Sequence, residues 1–234
     1  MVFTDDTIAA IATPLGTGGI GIIRISGPRS VEIATRLFHP HKAASPLKSH
    51  HLYYGVIVDP EGGHPVDEVL LSHMAKPRSY TREDVVEINC HGGPLSLQEI
   101  LSLVLKAGAR LAEPGEFTRR AFINGRLDLA QAEAVVDLIE SKSTAGLRHA
   151  SSQLQGMFSQ EVALLKEGLM EILSVLEASI DFPEEDIESF SPPQLIRDVD
   201  HLISHIEKLV NTYAEGRLYR EGVSAVIAGK PNVG

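Results

Sequence analysis

Cysteine is almost absent. Cys90 is the only one, so no internal disulfide framework forms and a reducing compartment is expected. No apolar run approaches the ~18 residues a membrane span requires. The N-terminus, Met1-Val2-Phe3-Thr4-Asp5-Asp6, is acidic where a secretory leader would be basic, so a cytoplasmic protein without membrane contact is expected. Positive charge is also scarce. Lys and Arg number 21 against 31 Asp and Glu, a formal net charge of −10, which argues against a broad nonspecific nucleic-acid surface. A local basic patch or a partner subunit remains open as a route to RNA.

What is present suits one or two globular domains: 234 residues, 43 % hydrophobic and 22 % charged. The first half alternates β-like and helical runs. Thr7–Ala12 and Ile20–Ile25 are rich in β-branched residues and bounded by Pro and Gly, and further strands are expected at His51–Val58, Glu68–His73 and Val85–Cys90. Gly27-Pro28 opens a helix expected to run through Phe38, and Pro94 starts another that ends near Gly108. Ala109–Ala112 adds a short strand. From about Glu116 to Glu215 the chain reads as nearly continuous amphipathic helix. Leu127, Ala130, Ala134, Leu138 and Ser141 form one stripe, and Val162, Leu165, Leu169, Leu173 and Leu176 another. Breaks fall at Asp181-Phe182-Pro183 and Ser191-Pro192-Pro193, and the second supplies a capping Ser before Pro in the first turn. Such helices form a bundle. Val223–Ala228 then reads as a buried strand. The expected organisation is an α+β domain over 1–118, an all-α domain over 119–216, and over 217–234 the first strand and loop of a further α/β domain.

That strand leads into Gly229-Lys230-Pro231-Asn232-Val233-Gly234, whose glycines have the spacing of a P-loop. Glycines are needed because backbone N–H groups must wrap phosphates, aided by the positive end of the next helix. The bland alternative is a Gly-Pro turn. The Lys and the Mg²⁺-binding hydroxyl are due only after Gly234, so these residues are expected to be the front portion of a longer P-loop protein. The GTPase site is incomplete within them.

Other motifs carry less. Gly16-Thr17-Gly18-Gly19-Ile20-Gly21 satisfies G-x-G-x-x-G, but a dinucleotide fingerprint must open a helix, and here a second β-like run continues. A glycine-rich hairpin or loop is the better reading. Arg24 and Glu87 are lone charges inside apolar strand runs, where a charge needs solvent or a partner. On pattern alone they lie on a solvated face or pair with one another, and the competing reading is that they line one ligand pocket. Carboxylates suit paired N–H groups of a heterocycle, and Arg suits carboxylates or carbonyls. His91-Gly92-Gly93-Pro94 joins a strand to a helix, a common ligand position. His39, His41, His50 and His51 fall in polar loops without metal-ligand spacing. Cys90, among apolar neighbours, reads as packing rather than as a nucleophile. Arg126, just after Asn124-Gly125, is either a surface charge or a ligand contact. No nucleophile elbow is recognisable.

Taken in order, several segments together resemble the tRNA-modification GTPase family MnmE (TrmE) over the full length. They are Asp6–Pro14, Gly18–Gly27, Glu83–Glu87, His91–Pro94, Pro114–Phe117, Arg126–Ala134, Ile180–Glu185 and Ala228–Gly234. The resemblance implies an N-terminal domain folded like folate-dependent one-carbon enzymes (aminomethyltransferase-like), which dimerises and binds 5-formyltetrahydrofolate. It implies a helical domain and, inserted in it, a G domain using GTP, Mg²⁺ and K⁺. With the flavin (FAD)-dependent partner MnmG (GidA), the family adds an aminomethyl-type group at carbon 5 of the wobble uridine, position 34, of certain tRNAs. Carried over by position, Arg24, Glu87 and Arg126 match folate-contacting residues, which reverses the pattern-based reading of the first two. Some relatives have Lys where Arg126 stands, which keeps charge but not donor geometry. Asn232 matches the K⁺-coordinating Asn of the P-loop, with Val233 and Gly234 beside it against nucleotide phosphates. The family's catalytic Cys motif lies beyond residue 234, and Cys90 is not that residue. The alternatives are a stand-alone folate-binding one-carbon transfer protein and a helical scaffold whose α/β domain only dimerises.

Overall fold

Apolar side chains at alternate positions make the first half of the chain a sheet. The computed structural model describes residues 6–14, 16–42, 46–181, 191–221, 226, 228 and 229. The chain divides into two compact units, Met1–Leu127 and Asp128–Gly234.

The first unit contains strands β1 (Ile8–Ile11), β2 (Gly18–Ser26), β3 (Phe38–Pro40), β4 (His51–Val58), β5 (Pro65–Met74), β6 (Val85–Gly92) and β7 (Arg110–Leu111). Among the described residues these form one sheet in the order β3-β4-β5-β6-β2-β1-β7. Every pairing is antiparallel except the short parallel β1–β7 edge. The glycine-rich run Gly18–Gly21 lies at the start of β2, within the β1–β2 hairpin, and opens no helix.

The strand period of two sends Ile23 and Ile25 of β2, Val86, Ile88 and Cys90 of β6, and Val69 and Leu71 of β5 to one face. Helices α1 (Ser30–Leu37) and α2 (Pro94–Lys106) cover that face. Pro at the start of α2 has the φ a first turn needs, and Leu97, Ile100, Leu103 and Val104 recur at helical spacing to meet the sheet. Each such side chain buried contributes about 1.5–3 kcal/mol. Gly27 has φ 132, and a Cβ there would stand 2.6 Å from the Asp6 carbonyl oxygen, so the β2–α1 turn requires glycine. The expected helix end at Phe38 is corrected: α1 stops at Leu37, and Phe38 begins β3 by pairing with Ile57. His39 and His51, expected in loops, lie on β3 and β4.

The opposite face is covered at the Ser26 end by residues 75–84 and by α3 (Glu116–Ile123). The helix belongs to the first unit.

The second unit consists of α4 (Leu129–Glu140), α5 (Thr144–Leu154), α6 (Met157–Asp181) and α7 (Pro192–Glu221). Asp128 caps α4 by accepting from the Gln131 backbone N–H at 2.8 Å, while the Gln131 side chain accepts from the Asp128 N–H at 3.0 Å. The long α6 and α7 pack on one another, with Gly168 against Leu202 and His205 Nε2 2.9 Å from Glu161 Oε2. Of the expected α6 stripe, Val162, Leu169 and Leu173 are exposed and Leu165 and Leu176 are half-buried, while Gly168 and Ile172, outside that stripe, are half-buried too. Apolar residues nearly all round α6 conceal which stripe does the packing. No described helix is long and apolar enough to cross a membrane. The expected strand Val223–Ala228 lies largely, and Asn232, Val233 and Gly234 wholly, outside the described residues.

Candidate functional site

Arg24 and Glu87 both point from the side of the sheet opposite α1 and α2 because their immediate neighbours, Ile23, Ile25, Val86 and Ile88, point into the core. Register sets Arg24 opposite Glu87, and Arg24 Nε donates to Glu87 Oε1 at 2.8 Å. Both side chains are only partly covered, 28 % and 20 % exposed. Two aromatic rings back the guanidinium group, Tyr80 at 5.5 Å and Phe117 at 5.6 Å from its carbon to the ring centroids. At that range an Arg is attracted to the negative ring face.

Arg126 reaches the same place by a different route. Gly125, at φ 69, ends α3 in the left-handed conformation, and Arg126 N–H turns back to the Ala121 carbonyl at 2.8 Å while Gly125 N–H donates to that of Phe122 at 2.9 Å. This double closure is a Schellman motif, which fixes where the next side chain goes. The Arg126 guanidinium lies 4.7 Å from the Tyr80 ring centroid, and Nη1 donates to the Tyr80 carbonyl at 3.2 Å. The structure therefore brings Arg24 and Arg126 together around Tyr80, with Glu87 joined through Arg24.

Tyr80 was not singled out by sequence, and Phe117 only as one member of an aromatic, basic helix. Tyr80 lies in a polar loop with no periodicity to betray it. Its hydroxyl is 2.9 Å from Thr118 Oγ1 on α3, and Asn124 Nδ2 donates to the Thr81 carbonyl at 2.6 Å. The loop is thus latched to the helix that carries Phe117.

That helix is anchored by a buried ion network. Arg120, 5 % exposed, donates to both oxygens of Glu83, at 3.2 and 3.3 Å, to the Asp6 carboxylate and to Glu116. Glu116, 2 % exposed, accepts from Arg110 at 2.7 and 3.1 Å and from its own turn's Glu113 N–H at 2.8 Å. Burial pushes the Glu116 carboxyl up, but these donors outweigh it and hold the group at about 2. A buried charge persists only with such pairing.

On the far end of β6, His91 Nδ1 is 2.6 Å from Asp67 Oδ1, and Asp67 Oδ2 accepts from His91 N–H at 2.8 Å and Ser96 Oγ at 3.1 Å. Burial raises the Asp67 carboxyl, yet these hydrogen bonds hold it below its usual range. The cluster ties β5 to the start of α2. Cys90 sits in the core with Sγ 3.4 Å from the Gly21 carbonyl oxygen, and burial pushes its thiol up to about 11. It belongs to packing, as its apolar neighbours suggested. Among the described residues no group of three or more His, Cys, Asp or Glu is placed to hold a metal ion.

The cluster sets one carboxylate and two guanidinium groups beside two aromatic rings. A carboxylate can accept paired N–H groups, a guanidinium can donate to carboxylate or carbonyl oxygens, and an aromatic face can stack on a planar ring. A mostly antiparallel sheet with α1 and α2 on one face and an arginine–glutamate cluster on the other, followed by a unit of long helices, defines the class as a two-part protein, an α+β unit ahead of an all-α one.

Comparison with known proteins agrees with that class. The model of the GTP-binding protein TrmE N-terminus matches residues 7–126, and that of the MnmE helical domain matches residues 129–229. The tRNA modification GTPase MnmE of Carboxydothermus hydrogenoformans is 51 % identical over 232 residues, covering 98 % of this chain and 50 % of the relative. Those of Acetivibrio thermocellus and Moorella thermoacetica are 52 % and 53 % identical, covering 100 % and 98 % of this chain. The chain belongs to the MnmE (TrmE) family, and it spans about half the length of the curated relatives it matches.

Proposed function

We propose that this chain is the folate-binding and dimerising front part of a tRNA-modification GTPase. The observation that carries the reading is the convergence of Arg24 and Arg126 on the Tyr80 ring, with Glu87 bonded to Arg24 and Phe117 behind it. Glu87 would accept the N–H groups of a pterin ring, and the arginines would take the oxygens of 5-formyltetrahydrofolate. When bound, that folate supplies a one-carbon unit at the formyl oxidation level, and the residues named here hold and orient it.

In the whole protein the reading extends further. Asn232, Val233 and Gly234 would enter the nucleotide site, Asn232 with K⁺, while Mg²⁺ and the phosphate-binding Lys would complete it for K⁺-dependent GTP hydrolysis. A homodimer through the first unit would join the FAD-dependent MnmG partner in a heterotetramer that adds a carboxymethylaminomethyl or aminomethyl-type group at carbon 5 of the wobble uridine in tRNA. Relatives named tRNA modification GTPase support this. The net charge of −10 agrees with RNA recognition through a limited patch and the partner.

A crystal structure of the dimer soaked with 5-formyltetrahydrofolate tests the reading. Density against Glu87, Arg24 and Arg126 is expected. Density elsewhere, or none at saturating ligand, contradicts it.

A further inference from the structure

We propose that Tyr80 is the positioning residue of this site, its ring holding the guanidinium groups of Arg24 and Arg126 in place for an anionic heteroaromatic ligand. The inference deepens the folate reading and rests on it. Two cations collected at one site repel one another, and the Glu87 carboxylate is bonded to Arg24. Phe117 backs Arg24 alone, whereas the Tyr80 ring faces both cations: its centroid lies 5.5 Å from the Arg24 guanidinium carbon and 4.7 Å from that of Arg126. Its backbone carbonyl also accepts from Arg126 Nη1 at 3.2 Å, so this one residue holds Arg126 by both main chain and ring.

The ring is itself fixed. Its hydroxyl is 2.9 Å from Thr118 Oγ1, and the flanking loop is bonded to Asn124 by the Thr81 carbonyl and by Arg82 Nη1, which donates to the Asn124 carbonyl at 3.1 Å. Asn124 is also the residue at the end of α3 from which Gly125 and Arg126 turn back. Loop and helix end are therefore coupled, and Tyr80 carries that coupling to the two arginines. A fixed ring spares the ligand the entropy of ordering two long side chains.

A merely structural Tyr80 would act through its hydroxyl tether to Thr118, whereas a positioning Tyr80 acts through its π face. Titration calorimetry of the chain with 5-formyltetrahydrofolate separates the two. Tyr80→Phe, which keeps the ring and loses the hydroxyl, is expected to stay within about 3-fold of the wild-type affinity, and Tyr80→Leu to bind roughly 5–30-fold more weakly through loss of both cation–ring contacts. Equal losses in the two variants, or no loss in Tyr80→Leu, overturn the proposal. The chain has no tryptophan, so Tyr80→Trp introduces a single indole at the site. Its emission is expected to change saturably with the folate, at the dissociation constant calorimetry gives, and an unchanged emission at saturation overturns the proposal even if Tyr80→Leu fails to fold. A wild-type chain that binds no folate brings down both this inference and the reading beneath it. A wild-type chain that binds, with Tyr80→Leu binding equally, brings down this inference alone.

Discussion

Arg24 on β2 and Glu87 on β6 stand directly opposite in an antiparallel register and are joined by a 2.8 Å hydrogen bond. The pair explains how a sheet tolerates two charges among Ile22, Ile23, Val86 and Ile88. It does not exhaust Glu87. A carboxylate has about four lone-pair positions, so Glu87 can hold Arg24 and still accept from a ligand. The mutual pairing considered from pattern and the ligand role implied by family resemblance are therefore compatible in one geometry.

Glu87→Ala is expected to weaken binding of 5-formyltetrahydrofolate by about 1–3 kcal/mol, the scale of leaving a charged partner unmet. Titration calorimetry measures it, with circular dichroism as the control for folding. Unchanged affinity in a folded variant removes Glu87 from the site.

Acid should loosen the first unit through Glu116. Its carboxyl is held at about 2 against an ordinary 4.5, the donors Arg110, Glu113 N–H and Arg120 outweighing burial. Because the folded value is the lower one, the stabilisation is complete above about pH 4.5 and is lost as pH falls from there through about 2. Glu116→Gln takes up no proton, so its urea midpoint should be lower at pH 7 and flatter over that interval. Asp6 and Asp67, also held below their usual range, leave a residual slope. Parallel midpoint curves for variant and wild type would remove Glu116 from the account.

How much of this could be read from the sequence depended on range. Strand β4 was legible in full, because His51–Val58 is bounded by polar residues and rich in β-formers. The three-residue β3 was not. Phe38 lies four positions after Ala34, at helical spacing, and only its pairing with Ile57 makes it a strand. Arg24 and Glu87 were visible as lone charges in apolar runs, but their bond spans 63 positions and depends on a register no local pattern states. Tyr80 was invisible because tertiary bonds to Thr118 and Asn124 set the course of its loop. The Asp6–Arg120 bond, 114 positions apart, was hidden for the same reason.

Cys90 should be inert in the folded chain. It is buried, its thiol is pushed up to about 11, and the thiolate is the reactive form. A disulfide reagent at pH 8 is expected to label it only in denaturant, as followed by absorbance. Immediate full labelling of the native chain contradicts the packing role.

In the second unit Asp128 and Gln131 close the start of α4 reciprocally. Asp128→Ala should lower stability by about 0.5–2 kcal/mol, the range for losing a helix N-cap. Thermal unfolding followed by circular dichroism checks it, and an unshifted transition means the cap is redundant.

The central claim is that the arginine–glutamate face of the first unit is a folate site. Its most direct measurement is calorimetric titration of the wild-type chain, and of Arg24→Ala with Glu87→Ala combined, with 5-formyltetrahydrofolate. Saturable binding by the wild type that is abolished in the folded double variant is the predicted result. Equal binding by both chains, or none by the wild type, would contradict it.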